Sequence, residues 1–125
     1  MNKLLHTILI VDDNPEFLDD LRAELEASKL FSQVLTTSNG LGALQLVAEQ
    51  DIELALIDLL MPGMNGLATT AALHRFQPTL PIVIMSNEPG RQRITEAAQH
   101  AGARAFLPKA ELLPLKLLDY FPFSF

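Results

Sequence analysis

The chain has 125 residues, 49% of them hydrophobic and 19% charged, and 15 acidic side chains against 9 basic ones give a formal net charge of −6. That length suits one domain with one core, and the composition excludes disorder as the main state. Scattered basic residues argue against DNA binding by this chain alone, since phosphate contacts need clustered Lys and Arg, and the lack of cysteine excludes disulfides and thiolate chemistry.

Two periodicities alternate along the sequence. Ile8-Leu9-Ile10-Val11 is a short β-branched run that predicts a buried strand. Phe17, Leu18, Leu21 and Leu25 then recur at helical spacing, with Asn14 as N-cap and Pro15 at the first helical position. Val34 to Thr37 predicts a second strand. Ser38-Asn39-Gly40 opens a second amphipathic helix carrying Leu41, Leu44, Val47 and Ala48. Leu54-Ala55-Leu56-Ile57 is a third apolar run, ending at Asp58. The turn Met61-Pro62-Gly63-Met64 leads into a helix from about Asn65 to Arg75. Pro81 to Met85 is the fourth strand, and Ile94, Ala97, Ala98 and Ala101 mark the fourth helix, with Gly102 placed as its C-terminal glycine. Ala105-Phe106-Leu107 is the fifth strand, followed by a helix expected from about Glu111 to Tyr120.

Five strands alternating with five helices predict an α/β fold, a parallel sheet with helices on both faces, and the continuously apolar strands agree with burial on both sides. The run after His6 is too short for a signal peptide, and no stretch approaches bilayer-spanning length, so the expectation is a soluble, cytoplasmic protein.

In an open α/β sheet, ligands bind beyond the carboxyl ends of the strands. Here the first strand ends in Asp12-Asp13, the third in Asp58 and the fourth in Ser86, while Lys109 lies just past the fifth. Singly, each has an ordinary structural explanation. Asp12 and Asp13 could cap a helix, Asp58 could serve a turn, Ser86 with Asn87 could form an N-cap pair, and Lys109 could be a surface lysine. The coincidence at one sheet edge is harder to explain that way. Three close carboxylates repel one another and raise each other's pKa unless a cation sits between them. Mg²⁺, a hard ion that takes one or two carboxylates and keeps several waters, is the natural solution, and it leaves a position open for a phosphoryl oxygen. A lysine and a hydroxyl could serve the remaining phosphoryl oxygens, with a carboxylate as nucleophile.

The sequence resembles the receiver domain of two-component response regulators. The resemblance rests on Ile8-Leu9-Ile10-Val11-Asp12-Asp13, on the run from Leu56 through Asp58-Leu59-Leu60-Met61-Pro62-Gly63 to Gly66, on Ile84-Met85-Ser86, and on Gly102 to Lys109. It implies a doubly wound, flavodoxin-like sheet of strand order 2-1-3-4-5 and a receiver over residues 1–125, without the effector domain that often follows. It implies further that Asp58 accepts a phosphoryl group from a sensor histidine kinase or phosphotransfer protein. Asp13 would bind Mg²⁺ directly, Asp12 mostly through water, Asp58 through its carboxylate and Leu60 through its backbone carbonyl. Ser86 stands at the switch hydroxyl, Lys109 at the phosphate-binding lysine, and Phe106 at the aromatic switch. Such a domain is a self-phosphorylating and self-dephosphorylating switch rather than a turnover enzyme.

Certain positions depart from the family pattern. Ser86 replaces the commoner threonine, Asn87 stands where a smaller residue is usual, and Ala110 follows Lys109 where proline is frequent. Leu60 and Glu88 flank the pocket and are placed to tune dephosphorylation. A side chain at Asn87 that impaired the chemistry would leave a receiver-like docking module, the alternative reading. A phosphatase of the haloacid-dehalogenase kind needs an acid two residues after its nucleophile, where Leu60 stands. The readout implied is the surface of the fourth helix, fifth strand and fifth helix, meeting a second copy or an effector, as in transcription regulators. The apolar stretch from Leu112 to Phe125 is more than one helix face can bury, and is expected either to fold back or to meet a partner.

Overall fold

A computed structural model of the chain describes residues 6–122. The apolar runs form β1 (Thr7–Val11), β2 (Gln33–Thr37), β3 (Leu54–Asp58), β4 (Ile82–Ser86) and β5 (Ala105–Pro108). Between them lie α1 (Pro15–Ser28), α2 (Gly40–Glu49), α3 (Gly66–Phe76) and α4 (Arg91–Ala101). All neighbouring strands pair in parallel, in the order β2-β1-β3-β4-β5.

Strand alternation assigns the two faces. Leu9, Val11, Ala55, Ile57, Ile82, Ile84 and Phe106 share a core with Ala43 and Val47 of α2, Leu73 of α3, and Ile94 and Ala98 of α4. Ile8, Ile10, Leu54, Leu56, Val83, Met85 and Leu107 pack on the other side against Leu18, Leu21 and Leu25 of α1 and against the C-terminal segment. Each fully buried aliphatic side chain stabilises by roughly 1.5–3 kcal/mol relative to exposure. Leucine and isoleucine at successive strand positions therefore force a sheet covered twice over.

Three helices begin in the same way at the carboxyl edge of the sheet. Asn14, Asn39 and Asn65 accept hydrogen bonds from the N–H groups of Phe17, Gly42 and Ala68 at 3.1, 2.7 and 2.9 Å. Each such cap contributes about 1 kcal/mol and fixes where the helix leaves its loop. The fourth helix differs: Gly90, at φ 93°, precedes it with no side-chain cap, so Ser86 and Asn87 do not form its N-cap pair.

The last helix is the main departure from expectation. The helix expected over 111–120 is broken into a 3₁₀ turn (Lys109–Glu111), a single helical turn α5 (Pro114–Leu117) and a second 3₁₀ turn (Leu118–Tyr120). Pro114 is the cause. It has no N–H for a continuing helix, and its ring drives Leu113 to an extended conformation, φ −89° and ψ 139°. The segment nevertheless folds back on the sheet. Leu112, Leu117 and Phe121 are buried, and the Phe121 ring lies 4.7 Å from His6 and 5.8 Å from Phe31 between centroids. Leu113 and Leu115 stay exposed, and Phe123 to Phe125 lie outside the described residues. Among the described residues no helix is long and apolar enough to cross a membrane, and no peptide bond is cis.

Gly66 sets the path of the β3–α3 loop. A Cβ there would collide with the carbonyl oxygen of Asp58 and with the Leu59 backbone, while the Gly66 N–H donates to the Leu59 carbonyl at 3.0 Å. Backbone cannot yield as a side chain can. Gly66→Ala is expected to destabilise the fold by about 1–3 kcal/mol, read as a lower midpoint in urea denaturation. Gly63→Ala serves as control for the cost of a positive φ in open space.

Candidate functional site

The carboxyl ends of the strands gather the polar residues that the strand patterns singled out. Asp12 and Asp13 end β1, and the Asp12 N–H is tied to the Thr37 carbonyl of β2 at 3.2 Å. Asp58 closes β3, and since Ile57 aligns with Val11 of β1, Asp58 lies one position further along, level with Asp12. One carboxylate oxygen from each of Asp12, Asp13 and Asp58 lies within 4.8 Å of the others. Asp12 is fully buried and Asp58 is 6% exposed, whereas Asp13 faces solvent.

Lys109 reaches back from the end of β5 into this cluster. Its Nζ is 2.8 Å from Asp12 Oδ2 and 3.5 Å from Asp58 Oδ1, with the side chain only 15% exposed. One ammonium faces three carboxylates. Asp12 Oδ2, although ion-paired, has no directed hydrogen-bond partner, while Asp12 Oδ1 accepts from the Asn14 N–H at 2.9 Å. One ammonium shared among three close carboxylates leaves negative charge uncompensated, and an all-oxygen donor set of this kind suits a hard divalent cation, so it fits Mg²⁺. Leu60, in the loop after Asp58, has a hydrocarbon side chain with no donor atom, so its backbone carbonyl is all it can offer a cation.

Ser86, at the end of β4 and 2% exposed, accepts a hydrogen bond from the Glu88 N–H at 2.9 Å. That leaves the hydroxyl proton for another acceptor. Asn87, next in the chain, is exposed. Phe106 is 4% exposed and packed inward with Ile84, Ile94 and Ala98. Sequence reasoning missed two contacts here. Phe17, expected only to face the core, places its ring 4.2 Å from the Lys109 ammonium, and Asn14 both caps α1 and holds Asp12. A phenylalanine at the third position of a helix carries no sequence mark of such a contact.

Burial pushes the Asp58 carboxyl up from 3.8 to about 6. The negative charge of Asp12 acts in the same direction, Lys109 offsets part of the rise through its charge and hydrogen bond, and Asp13 adds a smaller push upward.

A family model described as the response regulator receiver domain matches residues 8–116. The chain is 36% identical over 107 residues to the glycerol metabolism activator of Pseudomonas putida, covering 85% of this chain and 48% of that protein. It is also 36% identical over 116 residues to the sensory/regulatory protein RpfC of Xanthomonas campestris, covering 90% of this chain and 15% of that protein. The chain thus spans less than half the length of either relative. Among solved structures, the chemotaxis protein CheY4 of Vibrio cholerae superposes with a TM-score of 0.79 at 22% identity over 93% of this chain and 95% of that one. A CheY-like receiver domain protein from Methanospirillum hungatei gives 0.77 at 24% identity, over 93% and 90%.

The raised Asp58 carboxyl gives the metal-free protein a pH dependence of definite sign. The folded state holds this proton more tightly than the unfolded chain, so stability is greatest below about pH 4 as far as this group is concerned and falls as pH rises through about 6. The loss is on the order of 2–3 kcal/mol. Asp58→Asn should match the metal-free wild type near pH 4 and exceed it in stability above pH 6, measured by urea denaturation across pH. Added Mg²⁺ should narrow the gap. A gap that does not change with pH would contradict the raised pKa.

Proposed function

Because the chain belongs to the response regulator receiver domain family, we propose that it is a phosphorylation-dependent signalling switch that accepts a phosphoryl group on Asp58 from a histidine kinase or phosphotransfer protein. The observation that carries this reading is the convergence of Asp12, Asp13 and Asp58 within 4.8 Å, with the Lys109 ammonium beside Asp12 and Asp58.

The chemistry follows from the positions of these side chains. A carboxylate oxygen of Asp58 attacks phosphorus in line. A P–O bond to Asp58 forms while the P–N bond of a phosphohistidine, or the P–O bond of an acyl phosphate, breaks, and the bond pair leaves with the donor. Mg²⁺, when bound, would supply charge neutralisation, and Asp13, Asp12, Asp58 and the Leu60 carbonyl are the groups that would hold it. Lys109 shifts its ammonium from the two aspartates to a phosphoryl oxygen. The Ser86 hydroxyl donates to another. Such contacts exist only once the phosphoryl group is present, so they select one arrangement of the segment from Ser86 to Gly90.

The output surface in this reading comprises α4, β5 and the broken C-terminal segment, where a second copy or an effector would dock. Arg91 at the start of α4 makes a forked pair with Glu111, 2.9 and 3.4 Å, and Lys116 joins at 3.1 Å. These exposed contacts link the first turn of α4 to the residues just past Lys109. A histidine-kinase donor also fits a cytoplasmic location and a receiver spanning residues 1–125.

Incubating the protein with Mg²⁺ and acetyl phosphate tests the proposal through intact mass. Wild type should gain one alkali-labile phosphoryl group, and Asp58→Asn should gain none. Mg²⁺ binding without any adduct would instead support a docking module that works without phosphorylation.

A further inference from the structure

Resting on the proposed phosphoryl transfer, we infer that Phe17 is a positioning residue for Lys109. A closed circuit of contacts links the two. The Lys109 Nζ lies 2.8 Å from Asp12 Oδ2, and the other oxygen of that carboxylate accepts from the Asn14 N–H at 2.9 Å. The Asn14 side chain accepts from the Phe17 N–H at 3.1 Å, and the Phe17 ring returns to the Lys109 Nζ at 4.2 Å. The cap of α1 therefore fixes the ring that covers the ammonium.

This geometry does something that general apolar packing does not. An aromatic face attracts a cation through its quadrupole, and 4.2 Å is well inside the range of about 6 Å over which that attraction counts. A lysine ammonium ends a flexible four-carbon stem, and its natural refuge is bulk water. With Asp12 on one side and the Phe17 ring on another, Lys109 is held where it can reach Asp58, and its ordering precedes the arrival of the phosphoryl group. Phe17 is half-buried and also packs against the apolar cluster under α1, so a purely structural role is the competing explanation.

The two explanations separate with two substitutions and one background. Phe17→Leu keeps an apolar side chain and removes the π-face, whereas Phe17→Tyr keeps the face. With acetyl phosphate at saturating Mg²⁺, Phe17→Leu should be labelled about three- to tenfold more slowly than wild type, and Phe17→Tyr within about twofold of it. In a Lys109→Met background the Phe17→Leu penalty should vanish, which a structural role would not produce. In wild type, the Lys109 ε-methylene proton resonances should be shifted upfield by the ring, a readout that needs no variant to fold. The inference alone is overturned by a Phe17→Leu protein as fast as wild type, by a Tyr variant as slow as the Leu variant, by a penalty that persists without Lys109, or by unshifted resonances. A wild type that takes no phosphoryl group overturns the proposed function, and this inference with it.

Discussion

Negative charge held at the rim of a sheet that is buried on both faces governs this molecule. The interior of the sheet is apolar throughout, so polar chemistry can emerge only where strands end, and parallel pairing brings four of those ends to one edge. There Asp12 and Asp58 are almost wholly buried within reach of Asp13, and a single ammonium answers them. Such a cluster is costly by itself. Its local partners, from the Asn14 N–H to the Lys109 ammonium, reduce the cost without removing it, as the raised Asp58 carboxyl records.

That residual cost connects stability to function. A site fully satisfied by protein groups would have nothing to offer a cation or a phosphoryl group, because every ligand would first have to break a good contact. Here the incomplete satisfaction is confined to the atoms that a metal or phosphoryl oxygen would meet. The surroundings are closely packed: β1, β3 and β4 buried along their length, a helix capped by Asn14 on one side, and the close approach of Gly66 to the Asp58 backbone on the other. Rigid walls around an unsatisfied centre are what electrostatic preorganisation requires.

The elements that differ from this frame are α4 and the segment after β5. The fourth helix begins without a side-chain cap at Gly90, and the final helix is reduced to one turn by Pro114. What joins them is a set of exposed ion pairs centred on Glu111, and interactions of that kind contribute little stability and rearrange readily. Buried anchors at Leu112, Leu117 and Phe121 keep the segment on the domain while its surface contacts remain free to change.

The sequence alone determined much of this. Runs such as Ile8 to Val11 and Leu54 to Ile57 read as buried strands and form them, and the residues that follow them meet at one edge, because in such a sheet position along the strand is position in space. The resemblance of the motif set to receivers named the strand order and assigned roles to Asp58, Ser86, Lys109 and Phe106. Local chemistry also marked Asn14, Asn39 and Asn65, since capping acts over three residues. Pro114 stands in the sequence inside an otherwise helical apolar pattern, and its missing N–H is a local feature that breaks the helix. Tertiary structure alone decided the rest. That Phe17 covers Lys109, that Glu111 ties Arg91 to Lys116, and that burial raises the Asp58 carboxyl all depend on groups far apart in the chain or on exclusion of water, and neither is written in any local pattern.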